Sequence, residues 1–194
     1  NFLSVILASY VSFKAVLFFS AYIFAIWLYS HKIKRYAFIG NLTASMLAVV
    51  PFFAVFVYYK NFDLVIFVHA TFLFLIIVMR ELVKDLENLK GDLVQNYQTI
   101  PVKFGVHISK QLLTLTALLT LVPISLLITK FSIGLMNYYF YGSALLLILF
   151  CFFLWTSSSK LQYVLLHNFL KFIIVLGVFS IVLIDIELFL NRIL

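Results

Sequence analysis

Apolar runs as long as a lipid bilayer is thick recur along this chain, and no other feature constrains its fold as much. Residues 38–58, 64–79, 111–129 and 133–156 hold no Asp, Glu, Lys or Arg. A helix needs roughly 20 apolar residues to cross the hydrocarbon of a membrane. Hydropathy places spans near 2–11, 15–30, 38–58, 63–79, 111–129, 133–156 and 171–190. The runs are continuous rather than alternating, which excludes an outer-membrane barrel. The expected fold is therefore all-α: a polytopic transmembrane helical bundle of about seven spans, with residues 1–194 as a single domain. Composition agrees, with 65% hydrophobic residues and 11% charged, where soluble domains carry about 25% charged. Pro51 and Pro123 fall inside apolar runs, as membrane helices tolerate. Cys151 is the single cysteine, so there is no disulfide framework. The chain opens at Asn1, inside an apolar run and without Met, so a longer protein that begins upstream is expected.

Lysines and arginines set the orientation. One side of this layout holds Lys32, Lys34, Arg35, Arg80, Lys84, Lys90, Lys103, Lys110, Lys160 and Lys171, and the other Lys14, Lys60, Lys130 and Arg192. Ten against four makes the first side cytoplasmic. The net charge of +7 is mostly this bias and does not indicate nucleic-acid binding.

Residues 80–110 read as one long cytoplasmic loop, and its start is where charge chemistry concentrates. Four of the seven acids lie in Arg80-Glu81-Leu82-Val83-Lys84-Asp85-Leu86-Glu87-Asn88-Leu89-Lys90-Gly91-Asp92. Wound as a helix, this stretch brings Glu81, Asp85, Asn88 and Asp92 within about 60° of one another, while Glu87 and Lys90 point away. Carboxylates four residues apart repel, and a cation relieves them. Oxygen ligands of this kind suit magnesium, which keeps waters and shares substrate phosphates. Arg80 and Lys84 flank the acids and suit phosphate oxygens. Two readings remain open from spacing alone: a magnesium–diphosphate site at the membrane surface, or a solvated amphipathic helix with Glu/Lys pairs. A second basic patch, Tyr29-Ser30-His31-Lys32-Ile33-Lys34-Arg35, lies on the same side and is followed by Gly40-Asn41. It fits a diphosphate, and it equally fits positive-inside bias, which is the preferred reading for Lys32.

The acidic stretch, then Thr99-Ile100-Pro101-Val102 and Phe104-Gly105, resembles the second aspartate-rich motif of the UbiA-type intramembrane prenyltransferases and the T-L-P segment after it. Residues 29–35 with Gly40-Asn41 resemble that family's conserved loop two spans earlier. The resemblance implies nine helices around a cavity, of which this chain holds the third to the ninth. It implies two aspartate-rich motifs that hold Mg2+ and a polyprenyl diphosphate, whose ionisation leaves an allylic cation for an acceptor to attack. Carried over, Glu81 and Asp85 match the acidic pair of the second motif as catalytic and metal-binding residues. Asp92 matches a further metal ligand of the subgroup that makes archaeal-type lipids. Arg80, Lys84, Lys34 and Arg35 match positions near the diphosphate. Asn88 stands where that subgroup often has Asp, and Asn96 and Gln98 depart from the family's Gly and basic residue. The first motif is not in the chain, so this stretch by itself is expected to be inactive.

The resemblance favours a glycerol-phosphate-type lipid as acceptor, in a bacterial or archaeal plasma membrane. The alternative acceptor is an aromatic acid of the 4-hydroxybenzoate type. A small transporter and an inactive remnant are the rivals from other classes. A transporter would place functional charge near mid-bilayer, whereas these acids gather at one surface. The 23 Phe fit cation–π support of a carbocation, as well as ordinary membrane packing. Asp185 and Glu187 read as residues snorkelling at the far interface, and His69 as a packing histidine.

Overall fold

The computed structural model describes residues 2–60 and 62–183. Asp185, Glu187 and Arg192 lie outside the described residues. Among the described residues seven α-helices follow one another: α1 (Phe2–Val11), α2 (Phe13–Leu28), α3 (Ile39–Tyr59), α4 (Leu64–Val94), α5 (Ile100–Lys130), α6 (Asn137–Thr156) and α7 (Lys160–Ser180). A π-helical turn, Tyr29–Ile33, extends α2. Six helical segments are long and apolar enough to cross a membrane; α1, with 10 residues, is shorter.

The central helix is α4, packed against α3, α5 and α7. Its Ile76, Met79 and Val83 meet Leu113 and Leu127 of α5, Phe140 and Phe150 of α6, and Leu170 and Ile173 of α7 in one core. Val49 of α3 packs with Ala70 and Ile77 of α4 in a second, smaller cluster. No residue of α2 is buried, and large apolar side chains such as Phe24, Leu118, Phe152 and Phe179 cover the outside. A surface of this kind is stable only against lipid.

Length explains how α4 carries both a span and a motif. At about 1.5 Å per residue, its 31 residues run about 46 Å, against about 30 Å of hydrocarbon. The surplus of about 16 Å carries roughly the last ten residues of α4 past the apolar layer. The stretch 80–110 is therefore not the loop expected from hydropathy: helix continues on both sides of a short break at 95–99. Helix α7 likewise starts at Lys160 rather than near 171. Ser159 caps it reciprocally with Gln162, and the polar residues that depress hydropathy there are accommodated by packing. His167, expected in a loop, lies inside α7 with Nδ1 3.1 Å from Glu87 Oε2.

Two more polar groups tie the bundle. Lys110, read from sequence as a topology signal, is buried, and its Nζ donates to the Ser157 carbonyl at 2.6 Å and the Trp155 carbonyl at 3.4 Å. A cation on the last carbonyls of α6 complements that helix end. His69 Nδ1 is 2.8 Å from the Val65 carbonyl and its ring packs edge-on against Phe140, while Nε2 is buried without a partner.

Candidate active site

Two loops close over the end of α4. Gln98 N donates to the Arg35 carbonyl at 2.8 Å, pinning the 95–99 break to the turn between α2 and α3. Lys34 Nζ lies 5.6 Å above the Tyr97 ring, and Phe38 packs against Phe104. Gly40 sits at the closest approach: a Cβ there would stand 2.9 Å from the Lys34 carbonyl oxygen, closer than any side chain allows. Gly105 breaks α5 near its start, at φ 85° and ψ 165°, a conformation essentially restricted to glycine.

These elements enclose a cavity of about 190 Å³. Along one wall α4 presents Glu81, Lys84, Asp85, Asn88, Gly91 and Asp92, so the four residues placed on one face do share one site. Opposite stand Tyr29, Lys34, Gly40 and Asn41, with Gln95, Tyr97 and Thr99 at the rim of the break. Asn41 Nδ2 donates to Asp85 Oδ2 at 2.7 Å, and Asn41 is itself buried in the first turn of α3. Thr99 Oγ1 donates to Asp92 Oδ2 at 3.1 Å. Each aspartate thus has one oxygen fixed by a neutral donor and another left for a ligand.

Glu81 differs. Arg80 Nη2 reaches its Oε1 and Lys84 Nζ its Oε2, both at 3.0 Å. Both oxygens of this buried carboxylate are thus engaged, and Glu81 braces the two cations at the cavity wall. Among the described residues no three His, Cys, Asp or Glu side chains form a metal-binding group. The helix explains why: Glu81, Asp85 and Asp92 are spread along about 16 Å of axis. Glu81, Asp85 and Asp92 do not converge as one ligand cage. Two cavity aspartates with free oxygens still suit magnesium that is otherwise ligated by water and phosphate.

A second cavity, of about 230 Å³, adjoins the first. It shares Tyr29, Glu81 and Lys84 and adds Tyr22, Ile26, Ala44, Leu47, Ala48 and Arg80.

This arrangement matches known proteins. Residues 1–173 match the UbiA prenyltransferase family. The chain belongs to that family. Among its UbiA-type relatives, the digeranylgeranylglyceryl phosphate synthase of Thermococcus sibiricus is 31% identical over 133 residues, covering 68% of this chain and 47% of that protein. The digeranylgeranylglyceryl phosphate synthase of Pyrococcus horikoshii is 33% identical over 135 residues, covering 69% and 48%. The chain therefore spans about half the length of the curated relatives it matches. A solved structure of digeranylgeranylglyceryl phosphate synthase in membranes has the same fold, with a TM-score of 0.71 at 23% identity over 94% of this chain and 66% of that one. A UbiA chain with six such helices is an integral, multi-pass membrane protein.

Of the residues picked from sequence, the UbiA fold brings Glu81, Lys84, Asp85, Asp92 and Lys34 into the first cavity and Arg80 into the second. Arg35, expected at the diphosphate, lines neither: it is exposed, its Nε donates to the Lys32 carbonyl and its guanidinium lies 5.9 Å above Tyr36. Its backbone carbonyl, by contrast, serves the loop clamp by accepting from Gln98 N. Asn41 and Thr99 were visible only through the resemblance, and nothing in the sequence marks Tyr97 or Gln95, which reach the site through the fold of the break.

Proposed function

We propose that the protein transfers a polyprenyl group from a polyprenyl diphosphate to the hydroxyl of a glycerol-phosphate-type lipid, at the cytoplasmic surface of a plasma membrane. The observation that carries this reading is the first cavity. Two half-engaged aspartates, Asp85 and Asp92, share one cavity with Lys84 beside them and Lys34 opposite, where α4 leaves its apolar stretch. The donor's tail partitions into hydrocarbon while its diphosphate must remain at the polar edge, and that edge is where these charges stand.

The chemistry follows from the charges. The bond between the allylic carbon and the diphosphate oxygen breaks, and the electron pair leaves with the diphosphate. A bond from the acceptor oxygen to that carbon forms, and the hydroxyl proton is released. Asp85 and Asp92 are the residues that would hold Mg2+, which when bound would act as a Lewis acid on the leaving diphosphate. Lys34, held over Tyr97, and Lys84, held by Glu81, place positive charge at the same oxygens. Asn41 keeps Asp85 in register.

The test is transfer of a radiolabelled prenyl group by the purified protein, with and without a chelator. Product that depends on Mg2+ and on a glycerol-phosphate lipid supports the reading. Product formed only with an aromatic acid reassigns the acceptor.

A further inference from the structure

We propose that Tyr22 is a positioning residue for the first cavity. Its hydroxyl latches α2 onto a backbone carbonyl that Pro51 frees in α3, and so sets the tilt of the helix that brings Tyr29 and Lys34 to the diphosphate. This rests on the prenyl-transfer reading above.

The latch starts from a missing N–H. Pro51 lies inside α3, and a proline has no N–H to give to the carbonyl four residues before it. That carbonyl belongs to Leu47. Counted from Ile39 at the start of α3, Leu47 lies about 12 Å along the helix axis. In an apolar helix at that depth water is scarce, and an unmet carbonyl is costly. Helix α2 supplies what α3 lacks: the Tyr22 hydroxyl donates to the Leu47 carbonyl at 2.8 Å. The Phe18 ring, one turn earlier, stacks on the Tyr22 ring with centroids 5.9 Å apart and restricts where that hydroxyl can point.

Little else holds α2 in place. None of its residues is buried, and it meets α3 at few points. Its cytoplasmic end is pinned, because the Arg35 carbonyl in the turn beyond it accepts from Gln98 N. A helix pinned at one point can pivot about that point, and a second attachment fixes its direction. Tyr22, Ile26 and Tyr29 share one helical face and line one depression with Ala44, Leu47 and Ala48 of α3. Tyr29 follows Tyr22 by two turns, about 10.5 Å. A change of tilt at the latch therefore travels along the helix to Tyr29, and through the π-helical turn to Lys34, both of which stand on the first cavity. Proline and tyrosine work as one device here, since an unbroken α3 would keep the Leu47 carbonyl for its own N–H.

The experiment uses the full protein in lipid vesicles, with a polyprenyl diphosphate and a prenyl-glycerol phosphate as probes. It compares wild type, Tyr22→Phe, Tyr139→Phe, and Tyr22→Phe combined with Pro51→Ala. Tyr22→Phe keeps the ring on Phe18 and removes only the hydroxyl. Tyr139→Phe removes the same kind of bond between α6 and α7, where the Tyr139 hydroxyl donates to the Ile173 carbonyl at 3.0 Å, and Tyr139 lines neither cavity. Both single variants should lower the unfolding temperature by a few degrees. Only Tyr22→Phe should raise the KM for the prenyl diphosphate, by about 3- to 20-fold, the worth of a hydrogen bond between membrane helices, with kcat nearly unchanged. In the combined variant the restored N–H should satisfy the Leu47 carbonyl and bring the unfolding temperature back toward wild type, while KM stays raised. A KM that does not move in Tyr22→Phe, that rises equally in Tyr139→Phe, or that recovers together with the unfolding temperature overturns the proposal. If Tyr22→Phe alone does not fold, the KM of the combined variant decides by the same rule. Absence of transfer by wild type would instead refute the underlying prenyl-transfer reading.

Discussion

Asn41 Nδ2 donates a 2.7 Å hydrogen bond to Asp85 Oδ2, joining the first turn of α3 to the charged end of α4 across 44 positions of sequence. The bond fixes one oxygen of a half-buried carboxyl group with a neutral donor. Removing either partner leaves the other poorly satisfied. Asn41→Ala and Asp85→Ala should therefore be non-additive. A thermal-unfolding double-mutant cycle in detergent should give a coupling of about 1.5–3 kcal/mol, the range for hydrogen bonds to charged groups. Strict additivity would mean that the contact contributes nothing to holding α3 on α4.

Prenyl transfer by the full protein should require a divalent cation and should fall at least about 100-fold in Asp85→Ala, since even outer-shell partners of a metal are worth about 10–100-fold. No residue on the same face can stand in for it, because Glu81 is committed to Arg80 and Lys84. The readout is product formed at saturating donor, with and without chelator. Transfer that survives both treatments excludes the metal–diphosphate mechanism.

Lys90 and Lys130 should lie on opposite sides of the membrane, with Lys90 cytoplasmic. Both are exposed, one near the charged end of α4 and the other at the end of α5. In a Cys151→Ala background, Lys90→Cys should react with an impermeant maleimide from the cytoplasmic side only, and Lys130→Cys from the other. Labelling of both from one side contradicts the arrangement of spans.

Gly105→Ala should destabilise the protein by about 1–3 kcal/mol, the cost of a side chain in a backbone region that only glycine occupies readily. The cause is its φ of 85° and not crowding, since nothing lies within 4 Å of the added Cβ. Gly142→Ala makes the control. It also has open space around it but lies within helix α6 at ordinary dihedrals, so it should be neutral or stabilising by up to about 1 kcal/mol. Equal unfolding temperatures for the two variants would show that the break at Gly105 carries no strain.

How much of this was legible in the sequence depended on range. The shared face of Glu81, Asp85, Asn88 and Asp92 needs only the 3.6-residue period of one helix, and all four line the cavity. The wall opposite could not be derived that way, because the contact of Asn41 with Asp85 is a product of helix packing. Hydropathy placed the start of α7 too late because His167 and Lys171 look polar in isolation. His167 is in fact partnered by Glu87, and the local signal was the Ser159–Gln162 cap. Arg35 lines neither cavity, and what ties it to the site is its backbone carbonyl, which accepts from Gln98 N and leaves no mark in the residue pattern. The two salt bridges of Glu81 were foreshadowed by its neighbours, yet which partner an acid prefers, cation or metal, is decided by geometry.

The unbroken run of α4 from Leu64 to Val94 has an evolutionary corollary. One rod carries both the lipid-facing turns and the carboxylates, with no loop between them to absorb a change in length. Inserting a single residue between Leu64 and Met79 would rotate everything beyond it by about 100° and lift it by about 1.5 Å. Asp85 would then leave Asn41, and Glu87 would swing away from His167. Along this helix insertions and deletions should be purged: here the inherited quantity is a residue count.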